Sequence, residues 1–137
     1  MLKLFVFCML LGGCSTDAPK PAPSLVGGTW TMASRTEVLT PSVGHQGYTY
    51  PWPDAAGSTT LVFSDSGKVA YTYRGAPTVL GTYTYLDHTL TMTVVGSGPA
   101  GTGTVRTIAE LTDHRLVTQW QYDNANGRYD FSDTFTR

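Results

Sequence analysis

Charge is scarce in this sequence: Asp, Glu, Lys and Arg make up 14% of its 137 residues, against about a quarter in an ordinary soluble domain. A long bundle of Lys/Glu-rich helices is thereby excluded. From Leu25 to Arg137 the chain carries 7 Lys/Arg and 9 Asp/Glu, a net charge of −2, so there is no basic field to hold nucleic acid. Cysteine is nearly absent, with 2 in the chain, at positions 8 and 14. Beyond Cys14 no thiol remains for a disulfide, a redox couple or a nucleophile. Helical periodicity of useful length is missing, and no glycine-rich loop leads into a helix that would cradle phosphate. What is abundant is 22 Thr, 8 Tyr, 5 Phe and 3 Trp, punctuated by 15 Gly. Half-buried pleated sheets select this mixture of β-branched, aromatic and turn-forming residues.

The first residues read as a targeting peptide. Leu4–Leu11 is an apolar run of eight behind Lys3, too short to span a bilayer and suited to a signal-peptide core. It ends in Leu11-Gly12-Gly13-Cys14, which resembles the lipobox of bacterial lipoproteins. The resemblance implies cleavage after residue 13, acylation of Cys14 and anchoring to a membrane by two or three acyl chains. Ser15 rather than Asp at the second mature position implies the outer membrane of the cell envelope, with the domain facing the periplasm or the surface. Residues 14–24 are then a tether, whose alternating Pro19, Pro21 and Pro23 form no apolar cluster but keep it extended. Such a spacer reaches up to roughly 30 Å from the lipid surface. Residues 25–137 remain to fold as one domain.

Eight short alternating segments follow: Gly28–Val38, Thr59–Ser64, Lys68–Arg74, Thr78–Leu86, Thr89–Val95, Thr102–Leu111, Arg115–Tyr122 and Arg128–Thr136. Turn-forming pieces such as Asp65-Ser66-Gly67 and Asp87-His88 join them. The longest connection, Leu39 to Ser58, is still too short for a crossover helix, so successive strands must pair antiparallel. Closing the meander removes both sheet edges and predicts an all-β, eight-stranded antiparallel up-and-down barrel. Alternation assigns an inward face to Trp30, Met32, Leu61, Phe63, Val69, Tyr71, Tyr73, Tyr83, Tyr85, Leu90, Met92 and Val94. It continues through Val105, Thr107, Ala109, Leu111, Leu116, Thr118, Trp120, Tyr122, Tyr129, Phe131 and Phe135. Asp133 falls on the same phase between two phenylalanines. A bulge that shifts the register there is the favoured reading; the other is a buried carboxylate in need of a partner.

Leu25-Val26-Gly27-Gly28-Thr29-Trp30 resembles the Gly-x-Trp signature that opens the first strand of lipocalins and other calycins. The order of Leu61-Val62-Phe63 before Asp65-Ser66-Gly67, Gly81-Thr82-Tyr83, Leu111-Thr112 and the terminal Phe135-Thr136-Arg137 is similar to short bacterial lipocalin-like domains. The resemblance spans residues 25–137. It implies that Gly28 and Trp30 form a structural signature at one barrel end and that Arg137, or else Arg128, covers the indole. A packing helix after the last strand, present in larger lipocalins, is lacking here.

An up-and-down barrel sorts its loops into two sets. The first end gathers Leu39–Ser58, the glycine-rich Gly96–Gly101 loop and Asp123–Gly127, and is where an open barrel takes a ligand. Tyr48, Tyr50 and Trp52 on the long connection, with Tyr73 and Tyr122 near the rim, are the candidate contacts for a small apolar or amphipathic molecule. The bland alternative folds Pro51-Trp52-Pro53 down as a plug over a solid interior, which would suit a protein-interaction, inhibitor or accessory module of the envelope. The other end gathers Asp65, Asp87, His88, Asp113 and His114, where solvated turns are the simpler reading than a metal site. Glu37 and Glu110 are single carboxylates with no paired partner in evident reach, and no Ser/His/Asp set is present, so no catalytic residue, cofactor or metal is assigned.

Overall fold

The computed structural model describes residues 24–94 and 104–137. The targeting peptide, Cys14, the tether up to Pro23 and the Gly96–Gly101 loop lie outside the described residues. Among those described, nine strands follow one another: β1 (Thr29–Pro41), β2 (Tyr48–Pro51), β3 (Thr59–Phe63), β4 (Lys68–Tyr73), β5 (Val79–Leu86), β6 (Thr89–Val94), β7 (Thr104–Leu111), β8 (Arg115–Asn124) and β9 (Gly127–Thr136). Every pairing is antiparallel, and β1 and β3 to β9 form an eight-stranded barrel closed by pairing of β1 with β9. The hairpin joining β5 to β6 turns on Asp87 and His88, both with positive φ (47° and 63°), the twist that a two-residue connection between right-twisted strands requires.

β2 lies inside the segment that the sequence presents as a connection. The first strand does not stop at Val38 but runs to Pro41, well past the point where β3 leaves its edge: β3 pairs only Thr29–Thr31, and β2 pairs Thr36–Leu39 on the same side. An uncovered edge invites another strand, and Tyr48-Thr49-Tyr50 has the composition to supply one. The Trp52 N–H then donates to the Arg35 carbonyl at 2.9 Å, fixing the chain as it leaves β2.

Two bulges correct the inward face derived from alternation. The favoured bulge at Asp133 is not on β9, which keeps its phase; the register shift falls opposite, on β1 between Met32 and Ser34. Beyond that extra residue β1 turns Arg35, Glu37 and Leu39 inward. The second shift lies on β7 between Ile108 and Glu110. A phase counted back by twos from Leu111 therefore inverts: Ile108 is buried, Val105 and Ala109 are exposed, and Arg106 shares the inward phase of Ile108. A bulge adds one residue to one strand only, so every side chain beyond it changes face.

The core occupies one end of the barrel. Trp30, Met32, Leu61, Phe63, Val69, Leu90, Met92, Ile108, Leu116 and Phe135 pack there as one buried cluster. Residues 24–26 cross that end as a strap: Leu25 is buried and its carbonyl accepts from Trp30 Nε1 at 2.8 Å, while Val26 bridges Phe63. The Arg137 guanidinium lies 4.2 Å over the Trp30 ring and donates to the Asp113 and Val26 carbonyls at 2.6 and 3.1 Å. A cation on an indole face, with its N–H groups aimed at backbone carbonyls, seals this end and leaves few polar groups unsatisfied. Gly28 makes room for it: its φ is +155°, and a Cβ there would sit 3.3 Å from Arg137 Cδ. Arg128 lies at the far end of the barrel, paired with Asp130 at 2.7 Å.

Candidate functional site

Exposure along the inward faces changes with depth. On β8 it rises from Leu116 and Thr118, both 0% exposed, through half-buried Trp120 to Tyr122 at 46%. On β4 it rises from Val69 at 0% through half-buried Tyr71 to Tyr73 at 39%. On β9, Phe135 and Asp133 are buried and Phe131 and Tyr129 are half-buried. Side chains that point inward yet meet solvent line an open cup. Among the described residues the barrel is therefore packed at the Trp30 end and open in its other half, between the solid plug and the empty tube that the sequence left as alternatives.

Strand register stacks the cup wall in rows. At the rim Tyr48, Leu39, Tyr129 and Tyr122 lie side by side across β2, β1, β9 and β8; one row down come Tyr50, Glu37, Phe131 and Trp120. Beneath them Arg35, Asp133 and Thr118 form a row, and Met32, Phe135 and Leu116 begin the core. Aromatic residues thus make the wall, and a charged layer makes the floor. Trp120 and Phe131 stack at 4.0 Å with planes 9° apart, and Tyr50 meets Trp52 edge-on at 6.1 Å.

The floor is built on Asp133, which is 0% exposed and accepts from four groups. Arg35 binds it through both oxygens (Nε to Oδ1 2.6 Å, Nη2 to Oδ2 2.8 Å), Arg106 Nη1 donates to Oδ2 at 2.6 Å, and Trp120 Nε1 donates to the same oxygen at 3.1 Å. Burial alone would raise the Asp133 carboxyl, but the Arg35 hydrogen bonds and the Arg106 charge outweigh it and hold the group below the usual carboxylate range. The two arginines fare differently. Burial lowers both, yet the Asp133 hydrogen bond and charge more than recover the loss in Arg35, while Arg106 stays below the ordinary arginine value. Arg106 Nη1 also reaches Thr118 Oγ1 at 3.1 Å, but among the described residues its buried Nε has no hydrogen-bond partner. An orphaned buried donor costs about 1–3 kcal/mol. Both guanidiniums lie against rings: Arg35 Cζ is 5.7 Å from the Trp120 and Phe131 centroids, and Arg106 Cζ is 5.2 Å from that of Trp120.

Of the residues picked out for the mouth, Tyr48 and Trp52 meet at Glu37, donating to its two oxygens at 2.6 and 3.0 Å. The hydrogen bond to Glu37, ahead of burial and charge, pushes the Tyr48 phenol up to about 12. Glu37, which the sequence presents as a carboxylate without a partner, is thus the latch that ties the segment after β1 to the wall. Tyr50 stands on the same face of β2 beside it. Trp52 is half-buried and packs against the core cluster, with Arg35 Cζ 5.8 Å from its ring. Tyr73 and Tyr122 are both at the rim, on β4 and β8. Sequence reasoning flagged Asp133 as out of place but missed Arg35 and Arg106, whose phase the two bulges hide. The signal was chemical: a carboxylate on an apolar face demands cations, and these two arginines stand on strands near it.

At the closed end, Glu110 pairs with Arg115 at 3.0 Å on the surface. Among the described residues no group of three or more His, Cys, Asp or Glu is placed to hold a metal. A shallow groove of about 380 Å³ lies there between the Ser24–Val26 strap and β5, away from the cup.

The family model of the lipocalin-like domain matches residues 26–118. Among solved structures the chain is similar to a bovine odorant binding protein, a deswapped triple mutant, at 20% identity and a TM-score of 0.47 over 83% of this chain and 74% of that one. No curated protein matches the chain. The chain belongs to the lipocalin-like domain family.

Proposed function

We propose that this protein is a lipid-anchored binding protein of the bacterial cell envelope, held in the outer membrane through acylated Cys14, and that it keeps a small, partly apolar molecule in the open half of its barrel. The observation that carries the binding half is the depth gradient: inward aromatic side chains become solvent-accessible from Trp120 to Tyr122 and from Tyr71 to Tyr73. A concave aromatic wall over a few converging polar groups is what a small-molecule site requires. Among the described residues no catalytic constellation accompanies it, and binding rather than turnover is the proposed activity. The anchor rests on the Leu11-Gly12-Gly13-Cys14 motif.

Two experiments on one variant test both halves. Cys14→Ser should move the protein from the membrane fraction to the soluble fraction with its melting temperature unchanged, since the anchor lies apart from the core. Retention in the membrane after a carbonate wash would remove the anchor. Native mass spectrometry of the soluble Cys14→Ser protein should show a carried small molecule, or saturable uptake of a neutral apolar fluorophore; failure of both would remove the ligand.

One feature favours a second reading as a protein-interaction module. Val62, Ala70 and Leu80 form a cross-strand row on the outer face of β3, β4 and β5, with Val62 and Leu80 exposed. Co-purification of an envelope protein that a Leu80→Lys substitution abolishes, with no small molecule bound, would support that reading.

A further inference from the structure

The floor of the cup is unevenly charged. Two guanidiniums, Arg35 and Arg106, share the single carboxylate of Asp133. Glu37, the other inward carboxylate, has both oxygens taken by the neutral donors Tyr48 and Trp52. Asp133 uses Arg35 through Nε and Nη2 and Arg106 through Nη1. Among the described residues the buried Arg106 Nε has no hydrogen-bond partner. A buried cation that lacks a full set of acceptors is stabilised by any anion able to reach it, and guanidinium suits planar or tetrahedral oxyanions above all.

We infer that the occupant of the cup is a monoanionic amphiphile, its oxyanion seated on Arg35 and Arg106 and its apolar body held by the aromatic wall above them. This deepens the binding reading and rests on it. Within the floor layer one negative charge would balance the two guanidiniums and Asp133, while a second would meet the Asp133 carboxylate itself; Glu37, one row above, makes the four inward charges neutral in sum, so the anion is held by the local guanidinium pair and not by net charge. Trp120 and Phe131 stack directly over this layer, so the body adjoining the anion lies among ring faces and would be flat or slender. Arg35 is already bound to Asp133 by two hydrogen bonds. Arg106, the less satisfied partner, supplies the discriminating charge.

Two probes with the same aryl body separate charge from hydrophobicity: 1-anilinonaphthalene-8-sulfonate, an anion, and N-phenyl-1-naphthylamine, its neutral counterpart. Titrated by fluorescence into the folded Cys14→Ser protein, the sulfonate should bind at least about tenfold more tightly. A tenfold ratio corresponds to about 1.4 kcal/mol. Arg106→Met removes the under-satisfied cation and leaves Arg35 and Asp133 as a one-to-one pair, so it should fold, abolish the preference and leave binding of the neutral probe within about twofold. Equal affinities in the unsubstituted cup would overturn the anion site while the cup stands. Binding of neither probe would overturn the cup and the anion site together. A preference that survives Arg106→Met in a folded protein would also overturn the assignment. If Arg106→Met does not fold, the ratio in the unsubstituted cup decides alone.

Discussion

The two halves of this barrel are built from the same strands but obey different rules. At the Trp30 end most inward positions are apolar and buried, Tyr85 excepted, and Arg137 lies over an indole with its N–H groups on backbone carbonyls. At the other end inward positions carry Arg35, Glu37, Arg106 and Asp133 among rings that solvent reaches. The lower half stabilises the fold by removing apolar area from water; the upper half holds desolvated charge, which stabilises a fold little. On the proposed reading, stability and recognition are thereby separated along the barrel axis.

Substitutions should break along the same line. The largest effect belongs to Trp30→Ala, which removes the biggest side chain of the packed half and should cost about 3–5 kcal/mol in urea melts; neutral-probe affinity of the folded fraction should stay the same. Coincident melts would mean that the packed half is not the source of stability. Asp133→Ala should cost a similar amount, about 3–5 kcal/mol, because it strands two buried guanidiniums. Arg106→Met, which leaves a balanced pair, should change stability by less than about 1 kcal/mol. Equal losses for these two would show that the layer acts as a structural unit.

Acid should uncouple the halves next. Asp133 is held below the ordinary carboxylate range when folded, so its contribution is fully present above about pH 4, the unfolded value, and is lost as pH falls through the lower folded value. Melting temperature followed down from pH 5 should fall more steeply than in a variant lacking the charged layer. Trp52→Ala should weaken neutral-probe binding by about tenfold at a cost of about 1–2 kcal/mol in stability, since the ring is half-buried against the core. The smallest effect is spectroscopic. The Tyr48 phenol, raised to about 12 by its hydrogen bond to Glu37, keeps that bond below about pH 10 and loses it as pH rises through about 12. Glu37→Gln should return the phenolate absorbance transition toward the ordinary tyrosine value of about 10, with melts unchanged at neutral pH.

The packed half and the aromatic wall of the cup were legible in the sequence and the charged layer was not, for one physical reason. Alternation locates inward residues only while the register is unbroken. Trp30, Leu61, Phe63, Val69, Leu116 and Phe135 lie on unbroken stretches, and composition and phase agree at each. Arg35 and Glu37 lie beyond the bulge at Met32–Ser34, and Arg106 lies across the one at Ile108–Glu110. Nothing in the residue types at those bulges announces them. Asp133 was the visible trace, since its strand keeps phase while its partners' strands do not. β2 escaped because four residues inside a long connection are too few to show a pattern, although three of the residues they pair with, Thr36, Glu37 and Val38, lie in the predicted first strand.

Closure of the barrel by β1 and β9 also dictates when the protein can fold. Arg35 and Asp133 are 98 residues apart and the Val26 and Arg137 contact spans 111, so the first strand must wait for the last to be made. Contacts this distant in sequence are slow to form, and until they do the edges of β1 and β8 stay unpaired and open to other chains. Because Arg137 also seals the indole of Trp30, its loss would delay or loosen the step that completes the core. Closure thus waits on β9, and the interval before it is the time in which the open edges can meet other chains.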